Sequence, residues 1–414
     1  MSKRLLFVTT RLPWPQNSGR KVSLYHYCRG LAERYGYEIT LFVFPEWDQL
    51  RQVGEKPPFI KNVHFAAPIS RVRKCAGLLR VALTGAPLQE ALYYSGKNRR
   101  KLRALAEELC PDAVIFDMIR LAPYMKDFLG HTHTILDLDD LLSRRYERQL
   151  SAPVTDTGIA GHYGGGMPKA LERLLCHGRL GRLILKAEQK RLARAEIAYG
   201  KKADGVILVS DVECAYFNEK LGEERAVTVP LGVEVKAFAP VAEKRPRTFG
   251  FVGNMQVAAN VASLKSIVQN VLPHVNAPYT FEVAGPVPLE VREHFKATPN
   301  FTFLGEVPSL APVLSAWQFT LCPIAFGSGV KTKILEAMAA RLPVLTNTVG
   351  AEGIGAQNGQ EIFVFDDAGA LANTANRLLD DPDACKAVGH AAAEFVRAQF
   401  SWERAFEAFS KLNL

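Results

Sequence analysis

The chain opens with a short apolar run, RLLFVTT (residues 4–10), then a turn-rich stretch, RLPWPQNSGRK (11–21), a helical pattern, VSLYHYCRGLAERYG (22–36), and a second apolar run, YEITLFVF (37–44). Short apolar runs bounded by turn residues read as buried strands, and strand, loop, helix, strand in that order begins a parallel sheet covered by helices. DAVIFD (112–117), HTILDLDD (133–140) and ADGVILVS (203–210) extend the series. The pattern then pauses at the polar, proline-containing VAEKRPR (241–247), which reads as a linker.

A second alternation follows, with strands predicted at TFGFVGN (248–254), YTFEVAG (279–285), FTFLGEV (301–307), FTLCPIAF (319–326) and LPVLTNT (342–348). The chain closes on a long helical pattern interrupted at Phe400-Ser401, where Ser401 suits an N-cap. The last helix carries an apolar stripe through Trp402, Ala405 and Phe409 that must be buried against another element. The fold class is therefore α/β, with two doubly wound Rossmann-like domains facing across a cleft. Ligands of open parallel sheets bind at the carboxyl ends of the strands, so that cleft is the expected site.

Composition changes the picture in one respect. Of the 51 Lys+Arg and 42 Asp+Glu, residues 1–240 hold 37 and 26, and residues 241–414 hold 14 and 16. Nearly all the basicity lies in the first half. Residues 51–100 alone carry 10 basic and 2 acidic side chains, and residues 71–83 read as a basic amphipathic helix. Such asymmetry suits an anionic partner, either nucleic acid or an anionic lipid surface. No nucleic-acid-binding motif is present, which favours the lipid surface. The seven cysteines lie far apart with no C-x-x-C pair, which suits reduced structural thiols. No apolar stretch reaches the roughly 20 residues of a membrane span, so a cytoplasmic protein is expected.

Three stretches carry candidate chemistry. In GSGVKTKILEAMAARLPVL (327–345) a glycine-rich turn leads from strand to helix. Backbone N–H groups and the positive end of the helix dipole attract anions there, and Lys331 and Lys333 add charge. Glu336, one turn on, can accept hydrogen bonds from sugar or ribose hydroxyls. The first loop brings Gly19, which allows close backbone approach, and Arg20 and Lys21, which could reach a phosphate across the cleft. It lacks the G-x-G-x-x-G spacing of a dinucleotide fingerprint. Acidic strand ends place Asp117, Asp137, Asp139 and Asp140 at the ligand edge, where clustered carboxylates can bind a metal, act as a base or hold an acceptor hydroxyl. The Gly-rich segment 151–182 interrupts the α/β rhythm and reads as a mobile loop or membrane-facing lobe.

Taken together, these motifs resemble glycosyltransferase family 4, retaining enzymes of the GT-B fold. GVKTKILEAMAARLPVLTNTVGAEGI (329–354) is similar to the family signature, RLPWPQNSGRK to its first glycine loop, and VTVPLGVEVKAF (227–238) to its interdomain segment. FGFVGNM (249–255) and FTFLGEVPSLAPVLSAWQFTLCP (301–323) resemble the opening strand of the second domain and the segment before the donor loop. Four positions depart from the family pattern. Ser328 stands where a glutamate is usual and Arg341 where a glycine is usual. No basic residue follows FGFVGN before Lys265, and Asp139 or Asp117 stands where many members have a histidine.

The resemblance implies an acceptor-side domain over residues 1–240, with 400–414 returning to it, and a donor-binding domain over 241–399. It implies transfer of a sugar from a nucleotide diphosphate sugar to a hydroxyl of a lipid-linked glycan acceptor, with no metal and no cofactor. Gly19, Gly253, Ser328, Gly329, Val330, Lys331, Thr332, Lys333 and Glu336 would bind the donor. Asp139, Arg20 and Lys333 would be the catalytic residues, with Asp117 and Asp140 on the acceptor side. The basic first half would rest on the anionic inner face of a membrane, as in bacterial surface polysaccharide assembly. The alternatives are a nucleotide-sugar epimerase of the same fold and a non-catalytic nucleotide-sugar or carbohydrate-binding protein.

Overall fold

The computed structural model describes residues 3–16, 19–44, 55–70, 77, 81, 84–151, 178–238, 242–327 and 329–414. Most of the basic helix expected over 71–83, most of the 151–182 segment, and Ser328 lie outside these residues. The chain divides into two compact units. The first comprises residues up to Arg144, Ala187–Leu231 and Trp402–Leu414; the second comprises Arg145–Lys186 and Gly232–Ser401.

The first unit contains β1 (Lys3–Thr9), α1 (Gly19–Glu33), β2 (Tyr37–Val43), β3 (Ile60–Phe65), β4 (Ala113–Asp117), β5 (His133–Asp139), β6 (Gly205–Leu208) and β7 (Ala226–Thr228). Its seven strands are all parallel, in the order β3-β2-β1-β4-β5-β6-β7. Leu5 of β1 lies level with Ile39 on one side and Ala113 on the other. Parallel strands are covered on both faces, so β1, β2 and β4 are almost wholly buried and apolar.

The second unit contains β8 (Thr248–Val252), α2 (Ala258–Ser266), β9 (Thr280–Ala284), β10 (Phe301–Gly305), β11 (Thr320–Leu321), α3 (Thr332–Ala339), β12 (Val344–Thr346), β13 (Phe363–Val364) and α4 (Pro382–Gln399). Its six strands are also parallel, in the order β10-β9-β8-β11-β12-β13. Both sheets reverse strand order next to their first strand, as doubly wound sheets do.

The helical break at Phe400-Ser401 is present: α4 ends at Gln399 and α5 (Trp402–Ala408) begins three residues later. The stripe on α5 is buried within the first unit. Trp402 stacks on His26 of α1 at 4.0 Å between ring centroids, and Phe409 meets Tyr27 edge-on at 5.3 Å. Phe406 approaches α1 so closely that a Cβ on Gly30 would stand 2.3 Å from its ring. The C-terminal residues are part of the first unit's core, together with Leu24, Leu31 and Ile39.

Candidate functional site

Each unit brings predicted residues together at the carboxyl ends of its strands. In the first unit, Arg20 in the opening turn of α1 is met by carboxylates from β4 and β5. Its Nε and Nη2 donate to Asp117 Oδ1 at 3.1 and 2.6 Å, Nη2 also to Asp137 Oδ2 at 2.7 Å, and Nη1 to Asp139 Oδ1 at 3.0 Å. Thr9, the last residue of β1, donates to Asp117 Oδ2 at 2.7 Å. Asp117 and Asp137 are wholly buried, whereas the Asp139 side chain is 23% exposed.

Burial raises the proton affinity of the Asp117 and Asp137 carboxyls, and Arg20 opposes it. For Asp117 the arginine and Thr9 prevail, and its pKa falls. For Asp137 burial and the neighbouring Asp117 and Asp139 prevail over Arg20, pushing it up to about 7. Burial alone would lower the Arg20 pKa, but the three aspartates raise it well above its ordinary value. The Arg20 guanidinium, expected to reach a phosphate, is the counter-ion of a buried carboxylate cluster and makes four hydrogen bonds to it. Among the described residues no group of three or more His, Cys, Asp or Glu is arranged to hold a metal ion.

Asp139 ends β5 in a left-handed conformation, φ 64°, at a register shift against β6. Its N–H donates to Asp137 Oδ1 at 3.0 Å and its carbonyl accepts from Val209 N–H at 3.0 Å. A non-glycine residue held in this backbone region is strained, a feature that clusters at functional sites. Asp140 is buried elsewhere, beside Glu196, which burial pushes up to about 8. Ser143 holds Glu196, donating from its N–H at 3.1 Å and its hydroxyl at 2.5 Å.

In the second unit, the chain leaves β11, turns through Gly329 (φ 66°) and enters α3 at Thr332, with Lys331 as an extended N-cap that makes no side-chain cap. Val330 is buried and Lys331 Nζ donates to the Gly329 carbonyl. Lys333 Nζ donates to Asn260 Oδ1 at 2.7 Å and lies 4.3 Å from the centroid of the Phe251 ring. Both Lys333 and Glu336 are partly buried. Burial lowers the Lys333 pKa, against the pull of Cys322 and Glu336. Burial pushes Glu336 up to about 7, against Lys333. No carboxylate of the described residues lies within ion-pair distance of Lys333, and the Glu336 side chain makes no hydrogen bond to a described residue, its backbone carbonyl accepting from Ala340 N–H at 3.0 Å.

Residues that sequence reasoning missed hold this loop. Asn347 Oδ1 accepts from Ile324 N–H at 2.9 Å and Gly350 N–H at 3.0 Å, while its Nδ2 donates to the Ile324 carbonyl at 2.9 Å. Ser263 Oγ accepts from Ala325 N–H at 3.0 Å. Arg148, which also belongs to the second unit, donates to the Gly327 carbonyl at 2.9 Å and pairs in two-pronged fashion with Glu352. Asn347 carried a legible signal as an N-cap type at the end of an apolar run; Asn260, Ser263 and Arg148 carried none. Gly253 lies against Asn260: a Cβ there would stand 3.0 Å from Asn260 Cγ.

Residues 246–381, which include this whole constellation except Arg148, match the sequence model of the family described as Glycosyl transferases group 1. Over these residues the chain is similar to the glycosyltransferases. The resemblance read from the sequence holds. A protein of Klebsiella pneumoniae described as an uncharacterized 44.6 kDa protein in the cps region is 24% identical over 174 residues, which span 39% of this chain and 45% of that one. Among solved structures, sucrose-phosphate synthase from Thermosynechococcus elongatus is similar at a TM-score of 0.69 and 18% identity, covering 99% of this chain and 98% of that one. Anabaena HepE in complex with UDP-glucose is similar at 0.64 and 13%, covering 99% and 98%. TarM of S. aureus is similar at 0.65 and 11%, covering 99% of each. At these identities the likeness is one of fold, and the fold is GT-B.

Proposed function

We propose that the protein transfers a sugar from a nucleotide diphosphate sugar to a hydroxyl of a lipid-linked glycan, with retention of anomeric configuration and without a metal. Lys333 carries this reading. A partly buried ammonium with a single hydrogen bond among the described residues, to a neutral amide, is under-compensated, and an anion completes it. The Gly329 turn, Lys331 and the amino end of α3 add positive potential at the same place. A diphosphate matches that chemistry. The UDP-glucose in the HepE structure, and the UDP and α-GlcNAc-glycerol in the TarM structure, support a nucleotide sugar and a hydroxyl acceptor.

When the anomeric C–O bond breaks, its electron pair passes to the diphosphate oxygen and negative charge grows there. A cation fixed in advance stabilises that state more than the bound substrate. Glu336 would accept from ribose or sugar hydroxyls, with Val330 and Thr332 flanking. Asp139 would face the acceptor from its strained strand end. Among the described residues no helix is long and apolar enough to cross a membrane, and the basic first half would hold the protein against an anionic inner leaflet.

The test is a thermal-shift screen of nucleotide sugars followed by transfer assays with the ligand that binds, since a ligand of the folded state raises the melting temperature. Transfer to a lipid-linked glycan, with the product anomer matching the donor and activity persisting in a chelator, supports the proposal. Epimerised donor formed without acceptor would make the protein an epimerase, and binding without turnover would make it a binding protein. Strict metal dependence would return Asp137 and Asp139 to a metal role.

A further inference from the structure

We propose that Asn260 is the positioning residue of the lysine cradle and fixes where the Lys333 ammonium stands; the inference rests on the reading of Lys333 as a diphosphate contact. Asn260 is the third residue of α2, and its amide is oriented by its neighbours. One end lies 2.9 Å from the Asn254 carbonyl oxygen, which can only accept, so that end is Nδ2. Oδ1 therefore faces Lys333 Nζ at 2.7 Å. Asn254 is itself fixed, its Oδ1 accepting from Gln256 N–H at 2.8 Å. Gly253 leaves the amide its place, since a Cβ there would stand 3.0 Å from Asn260 Cγ and 3.1 Å from Nδ2. This gives Gly253 a role other than approach to the donor.

The identity of the side chain matters as much as its position. A carboxylate at residue 260 would neutralise Lys333 and compete with an incoming diphosphate. An amide oxygen holds the ammonium while leaving its charge, and two of its three N–H donors, for a ligand. The Phe251 ring supports the same ammonium from one side. The other ionisable groups bearing on Lys333 are the Cys322 thiol after β11 and the Glu336 carboxyl on α3. The sequence has no basic residue between FGFVGN and Lys265, so this loop contributes a residue that aims a cation instead of a cation of its own.

The experiment uses the full chain with Asn260→Ala, Asn260→Asp, Lys333→Ala and the Asn260→Ala/Lys333→Ala double variant. Uridine diphosphate and inorganic pyrophosphate are titrated calorimetrically from pH 6 to 10. Lys333→Ala should weaken both by tenfold or more. Asn260→Ala should weaken both about fivefold and move the alkaline loss of binding to lower pH, because the ammonium loses an acceptor. Asn260→Asp should move that loss to higher pH, and it serves alone if the alanine variant fails to fold. In the Lys333→Ala background, Asn260→Ala should add less than twofold. Equal weakening by Asn260→Ala in both backgrounds, or parental affinity and pH profile in Asn260→Ala and Asn260→Asp while Lys333→Ala loses binding, would overturn the inference alone. Unchanged binding of both probes in Lys333→Ala would instead overturn the diphosphate reading on which it rests.

Discussion

Arg341 holds a left-handed backbone, φ 56°, and its carbonyl oxygen lies 2.1 Å from the point a Cβ on Gly389 would occupy. The pair explains how α3 ends without a glycine. Leu342 N–H reaches back to the Ala337 carbonyl at 3.1 Å and Arg341 N–H to Met338 at 3.0 Å, so the chain closes as a glycine-ended helix would, at the cost of strain in Arg341. The strained carbonyl presses on α4, which answers with Gly389. Arg341→Gly should stabilise the protein by about 0.5–1 kcal/mol. Gly389→Ala should destabilise it by about 1–3 kcal/mol. Denaturant midpoints at constant slope measure both.

Diphosphate binding should weaken as pH rises past about 7, because Glu336, pushed up to about 7, then becomes a carboxylate beside Lys333 and repels the ligand. Glu336→Gln should flatten that dependence between pH 6 and 8. If Glu336 also accepts from the sugar, the same variant should lose more affinity for the nucleotide sugar than for the nucleoside diphosphate. Calorimetric titrations of both ligands across that range check the two expectations together.

Removing Arg20 would leave three clustered carboxylates, two of them wholly buried, without their cation. Loss of one partner from a buried ionic group costs about 3–5 kcal/mol, so Arg20→Met should unfold far more readily at pH 8 than the parent. The defect should shrink at pH 5. Without the guanidinium the aspartates hold their protons more tightly in the folded than in the unfolded chain, so folding gains as pH falls. Equal loss at both pH values would contradict the counter-ion role.

Trp402 is 3% exposed, and its indole nitrogen has no hydrogen-bond partner among the described residues. Trp402→Ala should cost about 3–5 kcal/mol through the cavity beneath α5. Trp402→Phe should cost much less, because it also removes an unsatisfied buried N–H worth about 1–3 kcal/mol. His26, stacked on this ring, is held neutral by burial and by Arg29, with its pKa lowered to about 3. Its contribution is complete above pH 6.5 and is lost as pH falls from there toward 3. Thermal unfolding of the parent and His26→Phe from pH 7 to 4 should therefore diverge.

Glu196 gives the opposite slope. Its folded pKa of about 8 exceeds the ordinary 4.5, so stability drains away between those values as pH rises. Glu196→Gln should relieve that loss, by a few kcal/mol at pH 8 relative to pH 5.

The central strands were legible because burial on both faces writes them as continuous apolar runs, as in β1, β2 and β4. β3, IKNVHF, was not read, because this edge strand is largely exposed beyond Ile60 and its polar residues break the run. β7 and β13, of three and two residues, are too short to carry a pattern. Lys331, Lys333 and Glu336 were readable from a local rule, glycine turn then helix. Asn260 was not, since it meets Lys333 from 73 residues away and only the neighbouring placement of β8 and β11 brings them together. The partners of Arg20 were not legible for the same reason: its carboxylates are set by the adjacency of β1, β4 and β5, which no local stretch encodes.

The return of residues 402–414 to the first unit has a consequence for biosynthesis. Side chains that complete that core follow α1 in the sequence by more than 360 residues and so are made roughly 20–75 seconds after it at about 5–20 residues per second. Throughout translation the amino-terminal sheet waits with the α1 surface that Trp402, Phe406 and Phe409 will cover still bare. The second unit, complete at Ser401, can close first. That uncovered α1 surface is the part of the nascent chain that a ribosome-associated chaperone would have reason to hold.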